Sequence, residues 1–244
     1  MQEAPPAPPH LSVIIPAYNE EKRLGATLAR MIAYLEAQPY TWELVVVDDG
    51  SSDSTAAVAD AAGDGGRLAV RVLRNSPNRG KGFSIRRGML EARGKYRLFS
   101  DADLSTPIEE VEAFWSHFEK GAAVVIGSRA LKESHLTVRQ SPMREGAGRV
   151  FNSCVRWMLV PGIHDTQCGF KMFTAEAAEA VFPKQRMHGF SFDVEILMLA
   201  RRAGFEVREL PVTWTNAPGT KVSAWKGATA FWDLVVLKLR HCRR

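Results

Sequence analysis

Two aspartates one residue apart, Asp101 and Asp103 in "YRLFSDADLSTP", end an apolar run. A carboxylate pair there can cap the next helix, or it can hold a divalent cation through hard oxygen ligands and share it with a phosphate. The D-x-D spacing alone does not choose between them. A second run, "VVVDDGSSDST", ends in Asp48 and Asp49. Ser51, Ser52 or Asp53 can cap a helix after it, which accounts for Asp53 and leaves Asp49 over. Residues 78–88, "NRGKGFSIRRG", form a glycine-basic turn opening a helix, where backbone N–H groups and Lys81 could meet a phosphate or a nucleobase. The turn matches neither a Walker A loop nor the dinucleotide fingerprint.

The elements that must position these residues are short and apolar. "LSVIIP", "ELVVVDDG", "LAVRVLRN", "KYRLFSDAD" and "AAVVIGSR" alternate with helical patterns, which predicts an α/β fold with a parallel sheet covered on both faces. Ligands of such sheets lie beyond the carboxyl ends of the strands. Polar residues gather at those ends: Ala17, Tyr18, Asn19 and Glu20, then Asp48 and Asp49, Asp101 and Asp103, and Ser128 and Arg129. Residues 131–162 loosen into a basic segment that reads as helix from about Glu145. A glycine-rich "DTQCGFKMF" follows, then a helix near residues 174–181, an amphipathic helix "SFDVEILMLARRAG" stopped by Gly204, and a strand "EVRELPVTW".

Residues 1–10 are a proline-rich flexible leader, 11–222 a single domain divided into halves at 130, and 223–244 a basic amphipathic C-terminal helix. That last helix is either buried or lies in a membrane interface with Trp225, Phe231 and Trp232 inserted. With 244 residues, 45% of them hydrophobic, the chain can bury a sizeable core, which excludes wholesale disorder. It shows neither a signal peptide nor a run of about 18 apolar residues able to span a membrane. Three cysteines, Cys154, Cys168 and Cys242, have no CxxC spacing, which points to a reducing compartment and away from zinc.

Net charge is +5, from 32 basic and 27 acidic residues. After Leu210 only Asp233 offsets Lys221, Lys226, Lys238, Arg240, Arg243 and Arg244, so an anionic partner is expected. Nucleic acid is a poor fit, because the basic residues lack an interleaved stacking surface.

Together "SVIIPAYNE", "VVVDDGSSDST", "NRGKG" and "DADLSTP" resemble the nucleotide-binding half of inverting family 2 glycosyltransferases. "GSR" at 127–129, "DTQCGFKMF" at 165–173, "FDVEIL" at 192–197, "ELPVTW" at 209–214 and "GTKV" at 219–222 look like the polyprenyl-phosphate glycosyltransferases, the dolichyl-phosphate β-glucosyltransferases among them. The resemblance implies the GT-A fold, a Rossmann-like, mixed but mostly parallel sheet flanked by helices. It also implies a nucleotide-sugar donor, UDP-glucose or GDP-mannose, a polyprenyl or dolichyl phosphate acceptor, and Mg²⁺ or Mn²⁺. Pro16, Ala17, Tyr18, Glu20, Asp49, Lys81, Ser100, Asp101, Ala102, Asp103 and Lys221 would then bind the nucleotide sugar. Asp101 and Asp103 would hold the metal, Asp103 the more directly, with Ser105 at the third ligand position. Arg129, Arg139 and Arg144 would meet the acceptor phosphate, and Asp165 would lie near the acceptor entrance or else cap the segment that follows it. Asn216 and Ala217 depart from the histidine or glutamate that usually precedes the family's final GSK-type turn.

The resemblance makes Asp103, Asp165 and Arg129 the catalytic residues. A polyprenyl monophosphate is already an anionic nucleophile, so positioning and charge stabilisation take precedence over a general base. With a cation at the aspartates, capping of the next helix passes to Ser105 or Thr106 ahead of Pro107. A lipid acceptor places the protein peripherally on the cytoplasmic face of a membrane. A soluble acceptor, and a nucleotide-sugar-binding module without activity, are the competing readings.

Overall fold

The computed structural model describes residues 7–63, 69–138, 146, 155, 159–216, 233 and 236–238. In chain order the strands are β1 (Leu11–Ala17), β2 (Trp42–Asp48), β3 (Val70–Arg74), β4 (Tyr96–Ser100), β5 (Val124–Ser128), β6 (His135–Val138), β7 (Phe170–Thr174), β8 (Val207–Pro211) and β9 (Thr213–Thr215). The α-helices are α1 (Glu21–Glu36), α2 (Thr55–Gly63), α3 (Lys81–Glu91), α4 (Glu112–Glu119), α5 (Ala175–Val181) and α6 (Phe192–Arg202). A seven-stranded sheet runs β3-β2-β1-β4-β7-β5-β8, and β6 and β9 form a separate pair. All neighbours in the large sheet are parallel except β7, which is antiparallel to both β4 and β5.

Successive strand residues enter two cores, because side chains alternate across a sheet. Ile14, Val45, Val47 and Phe99 pack on one face against Ile85 and Met89 of α3, Val181 of α5 and Ile196 of α6. Val13, Ile15, Leu44, Val46 and Leu98 pack on the other against Leu24, Leu28 and Met31 of α1 and Phe114 of α4. Burial on both faces is why these strands read as continuous apolar runs.

The mixed, mostly parallel sheet agrees with the sequence expectation, and the helices near residues 174–181 and 192–202 form where their periodicity places them. Thr174 caps α5 through its side chain, and Gly204 takes φ +85 just beyond α6. Two details differ. "DTQCGFKMF" contains a strand, β7, which fills the space between β4 and β5. Neither Ser105 nor Thr106 caps the 3₁₀ turn Ile108–Val111. The Ser105 carbonyl instead accepts the Thr215 N–H at 2.8 Å, and the Thr106 hydroxyl meets the Cys168 sulfur.

The helix read from about Glu145 lies outside the described residues, apart from Gly146 and Val155, which are helical. Of the C-terminal helix only Asp233 and residues 236–238 are described; they are helical, and Leu237 is fully buried. Among the described residues no helix is long and apolar enough to cross a membrane.

Helix α3 carries the glycine-basic turn against the sheet, and Gly88 lets it approach. A Cβ there would stand 2.4 Å from Ile14 Cγ2. Gly88→Ala should therefore destabilise the fold by about 1–3 kcal/mol through overpacking, read as a lower midpoint in urea unfolding.

Candidate active site

The carboxyl ends of β1, β2, β4 and β5 carry one rim, and backbone hydrogen bonds to side chains shape it. Asn19, at φ 52, stands in the left-handed region that asparagine tolerates. Its N–H donates to Ser51 Oγ at 2.9 Å, and its side-chain oxygen accepts the Ser52 N–H at 2.9 Å. The Glu20 N–H donates to Thr55 Oγ1 at 2.7 Å. The loops after β1 and β2 are therefore interlocked. Pro16 and Ala17 lie in β1 opposite Val47 and Asp48, Tyr18 is 41% exposed, and Glu20 is paired with Arg23.

Asp49, left over in the capping account, organises the glycine-basic turn. It is buried, and its Oδ1 accepts from Asn75 Nδ2 at 2.8 Å and from the Arg79 N–H at 3.0 Å. Oδ2 accepts the Gly80 N–H at 2.8 Å. Gly80 takes φ +96, and a Cβ on it would lie 2.6 Å from the His188 carbonyl oxygen. These bonds deliver Lys81 to the rim as the first residue of α3.

Lys81 Nζ lies 2.5 Å from Asp101 Oδ1. Burial disfavours the ammonium, but Asp101, Asp193 and Asp103 outweigh that cost and hold the Lys81 pKa above its ordinary value. Ser100 and Ala102 flank Asp101 and are buried; the Ala102 carbonyl accepts from Thr27 Oγ1 at 2.7 Å. Asp103 Oδ1 accepts the Ser105 N–H at 3.0 Å. Gly169, just before β7, faces Asp101 so closely that a Cβ would stand 2.1 Å from Oδ2. The bare glycine is what leaves the carboxylate its place.

The donor set at this end fits a divalent cation arriving with a diphosphate. Among the described residues no third His, Cys, Asp or Glu joins the pair to complete a metal cage. Mg²⁺ and Mn²⁺ commonly take one or two carboxylates and fill the remaining positions with phosphate oxygens and water.

Arg129, at the end of β5, and Asp165 form a bidentate ion pair, with Nε to Oδ2 at 2.7 Å and Nη2 to Oδ1 at 2.9 Å. The N–H groups of Arg129 and Gln167 also donate to the Asp165 carboxylate, each at 3.0 Å. Asp165 is 1% exposed, so desolvation alone would raise its pKa. The guanidinium and those N–H groups reverse the effect and hold it at about 2. The carboxylate is therefore ionised and occupied, which suits it to orient Arg129 and not to accept a proton. Glu209 of β8 braces the pair by accepting the Asp165 N–H at 2.7 Å.

The structure thus brings Asp49, Lys81, Asp101, Asp103, Arg129 and Asp165 to one rim. Lys221, Arg139 and Arg144 lie outside the described residues. Three participants carried no assignment from sequence: Glu209, Lys171 and Asp193. Lys171 and Asp193 form a fully buried ion pair. A lysine inside the apolar stretch "FKMF" and an aspartate inside "FDVEIL" were the signals that could have found that pair.

The mostly parallel, Rossmann-like sheet is that of the GT-A glycosyltransferases, as solved structures show. Glucosyl-3-phosphoglycerate synthase from Mycobacterium tuberculosis, in complex with Mn²⁺, UDP and glucosyl-3-phosphoglycerate, superposes with a TM-score of 0.67 at 18% identity, covering 96% of this chain and 80% of that one. The same synthase with Mg²⁺ and UDP gives the same TM-score of 0.67. The chain belongs to glycosyl transferase family 2, whose model matches residues 12–182, and it is a glycosyltransferase.

Curated relatives are dolichyl-phosphate β-glucosyltransferases. Those of Dictyostelium discoideum and Homo sapiens are 37% and 38% identical, each match covering 95% of this chain and 75% of the relative. The enzyme of Saccharomyces cerevisiae is 35% identical over the same shares.

Asp165→Asn keeps the shape but removes the charge that Arg129 pairs with, so it should destabilise the fold by about 3 kcal/mol at pH 7. The folded pKa, about 2, lies below the ordinary aspartate value of 3.8, so the charge contributes stability fully above about pH 4 and loses it as pH falls toward 2. Urea unfolding of both proteins across pH 2–7 should therefore show the gap closing at the acid end. A pH-independent gap would remove the carboxylate's charge from the account.

Proposed function

We propose that this enzyme transfers glucose from UDP-glucose to dolichyl phosphate or a related polyprenyl phosphate, with inversion, giving a β-linked lipid phosphate sugar. The observation that carries the reading is sequence identity of 35–38% across 95% of the chain to dolichyl-phosphate β-glucosyltransferases. The rim geometry supports it. Asp101 and Asp103 would hold Mg²⁺ or Mn²⁺, and that ion, when bound, neutralises charge developing on the departing diphosphate. Pro16, Ala17, Tyr18 and Glu20 would line the nucleoside pocket beside the turn that Asp49 holds.

In the transfer, a phosphate oxygen of the acceptor forms a bond to C1 of the sugar from the face opposite the leaving group. The bond from C1 to the diphosphate oxygen breaks, and its electron pair leaves with UDP. No proton need move, because the acceptor phosphate is already anionic. This agrees with the absence of a poised base in the Arg129–Asp165 pair, whose carboxylate is held at about 2. Two of the three guanidinium nitrogens of Arg129 bond to Asp165. The pairing fixes the orientation of the cation for a phosphate, and Arg139, Arg144 and Lys221 would add further positive charge. The lipid tail requires contact with a membrane, for which the basic, aromatic-bearing segment 131–160 and the amphipathic segment from Ser223 onward are the sequence candidates. On this reading the protein would act on the cytoplasmic face of that membrane.

Thermal melting with UDP-glucose, GDP-mannose, UDP-N-acetylglucosamine or UDP, each with Mg²⁺, Mn²⁺ or EDTA, tests the donor. A metal-dependent upward shift with UDP-glucose and UDP is expected. A shift with GDP-mannose alone would assign a mannosyl donor instead. Transfer of labelled glucose to dolichyl phosphate in detergent then tests the acceptor.

Asp103→Ala should abolish that transfer and the Mg²⁺-dependent shift together; near-normal, Mg²⁺-stimulated turnover would take the pair out of the chemistry. Gly169→Ala should displace the Asp101 carboxylate and weaken Mg²⁺-dependent UDP binding by roughly tenfold in calorimetric titration.

A further inference from the structure

A cleft beside β3, the strand at one edge of the large sheet, collects cations outside the rim. It holds about 290 Å³ and is lined by Arg74, Asn75, Ser76, Arg79, Phe83 and Arg87. None of these six residues has a part in the donor, metal or acceptor assignments. Small-molecule sites run from roughly 300 Å³ upward, so the space suits a phosphate group and the first atoms of its carrier better than a whole nucleotide. Residues 71–95 carry eight lysines and arginines against a single acid, Glu91, while the excess of the whole chain is only +5. Positive potential is therefore concentrated along this edge, which draws anions to it.

Two of the cleft's guanidiniums are held in place without being neutralised. Arg87 Nη1 donates to the Arg74 carbonyl at 2.6 Å and to Asn75 Oδ1 at 2.9 Å, both uncharged acceptors. Asn75 is itself fixed: it is 5% exposed, and its Nδ2 donates to Asp49 and Ser84. The Arg79 guanidinium stands 4.0 Å from the centre of the Phe83 ring, a contact that restrains the cation and uses none of its N–H donors. Among the described residues neither Arg79 nor Arg87 meets a carboxylate, and Asp60 pairs with Arg74. Restrained guanidiniums with N–H donors to spare match phosphate oxygens, which they bind through charge-assisted, often bidentate hydrogen bonds.

We propose that this cleft is a phosphate-monoester site, in which Arg79 and Arg87 take the phosphate oxygens and Arg74 adds positive charge at the edge. A soluble phosphate and a lipid headgroup present the same chemistry to it. The site lies behind the donor turn, because Asn75 lines the cleft and also holds Asp49.

The test compares the wild type with R79Q/R87Q in two arms. In the first, glycerol 3-phosphate is titrated calorimetrically, with sodium chloride at matched ionic strength as the control. The wild type should bind it and the double variant should bind roughly tenfold more weakly or less, since each lost guanidinium removes charged hydrogen bonds. In the second arm, phosphatidylcholine vesicles with and without phosphatidic acid are floated with each protein. A lipid source predicts that phosphatidic acid recruits the wild type and fails to recruit the double variant. A soluble source predicts the calorimetric difference together with equal flotation of both proteins. Wild type and double variant behaving alike in both arms would overturn the proposal. Should R79Q/R87Q melt without cooperativity, R79Q alone carries the test, because among the described residues that side chain makes only the ring contact. It should lose affinity several-fold, and unchanged affinity and flotation would overturn the proposal. Neither UDP nor a divalent cation enters either arm, so failure of the donor reading leaves this result intact.

Discussion

Coverage of the central sheet on both faces is the constraint from which the rest follows. Strand residues facing either core must be apolar, so charge is expelled to the strand ends, and the carboxyl ends of β1, β2, β4 and β5 receive it together. Charges buried within the strands are each compensated: Glu43 of β2 meets Arg71, Arg97 of β4 meets Glu179, and Lys171 of β7 has a carboxylate, a carbonyl and an aromatic face. The antiparallel sense of β7 matters as well, because it starts that strand at the same rim where β4 ends, opposite Ser100.

Two buried aspartates show how partners decide chemistry. Burial alone would raise the pKa of both Asp165 and Asp193. Asp165 gains a bidentate guanidinium and two backbone N–H donors, and its pKa falls to about 2. Asp193 has the ammonium of Lys171 close by and Lys81 farther off, and desolvation wins, leaving its pKa above the ordinary value. The first carboxylate is a fixed anion that aims an arginine.

The glycosyltransferase fold here accommodates different acceptors among its neighbours. The mycobacterial synthase that shares the fold is named for a phosphoglycerate product, while the relatives closer in sequence are named for dolichyl phosphate. Under the proposed function, a cation at Asp101 and Asp103 and an arginine aimed by Asp165 would suit a phosphate acceptor, because a fold hosts many functions and the site decides among them.

The sequence by itself determined the α/β layering, because continuous apolar runs and helical periodicity report burial directly. It also located the acidic pair, the Asp49 cluster and the glycine-basic turn, since polar residues ending apolar runs stand out along the chain. Tertiary structure decided the rest. That "FKMF" enters the sheet as an antiparallel strand, and that Asp49 is consumed in holding residues 75–80, depend on partners 26 to 78 positions away in the chain. The union of Arg129 with Asp165, and of Lys171 with Asp193, followed in the same way from packing. Spacing along a chain records which residues can reach a rim; only folding in three dimensions sets which charges meet there and therefore which of them stay ionised.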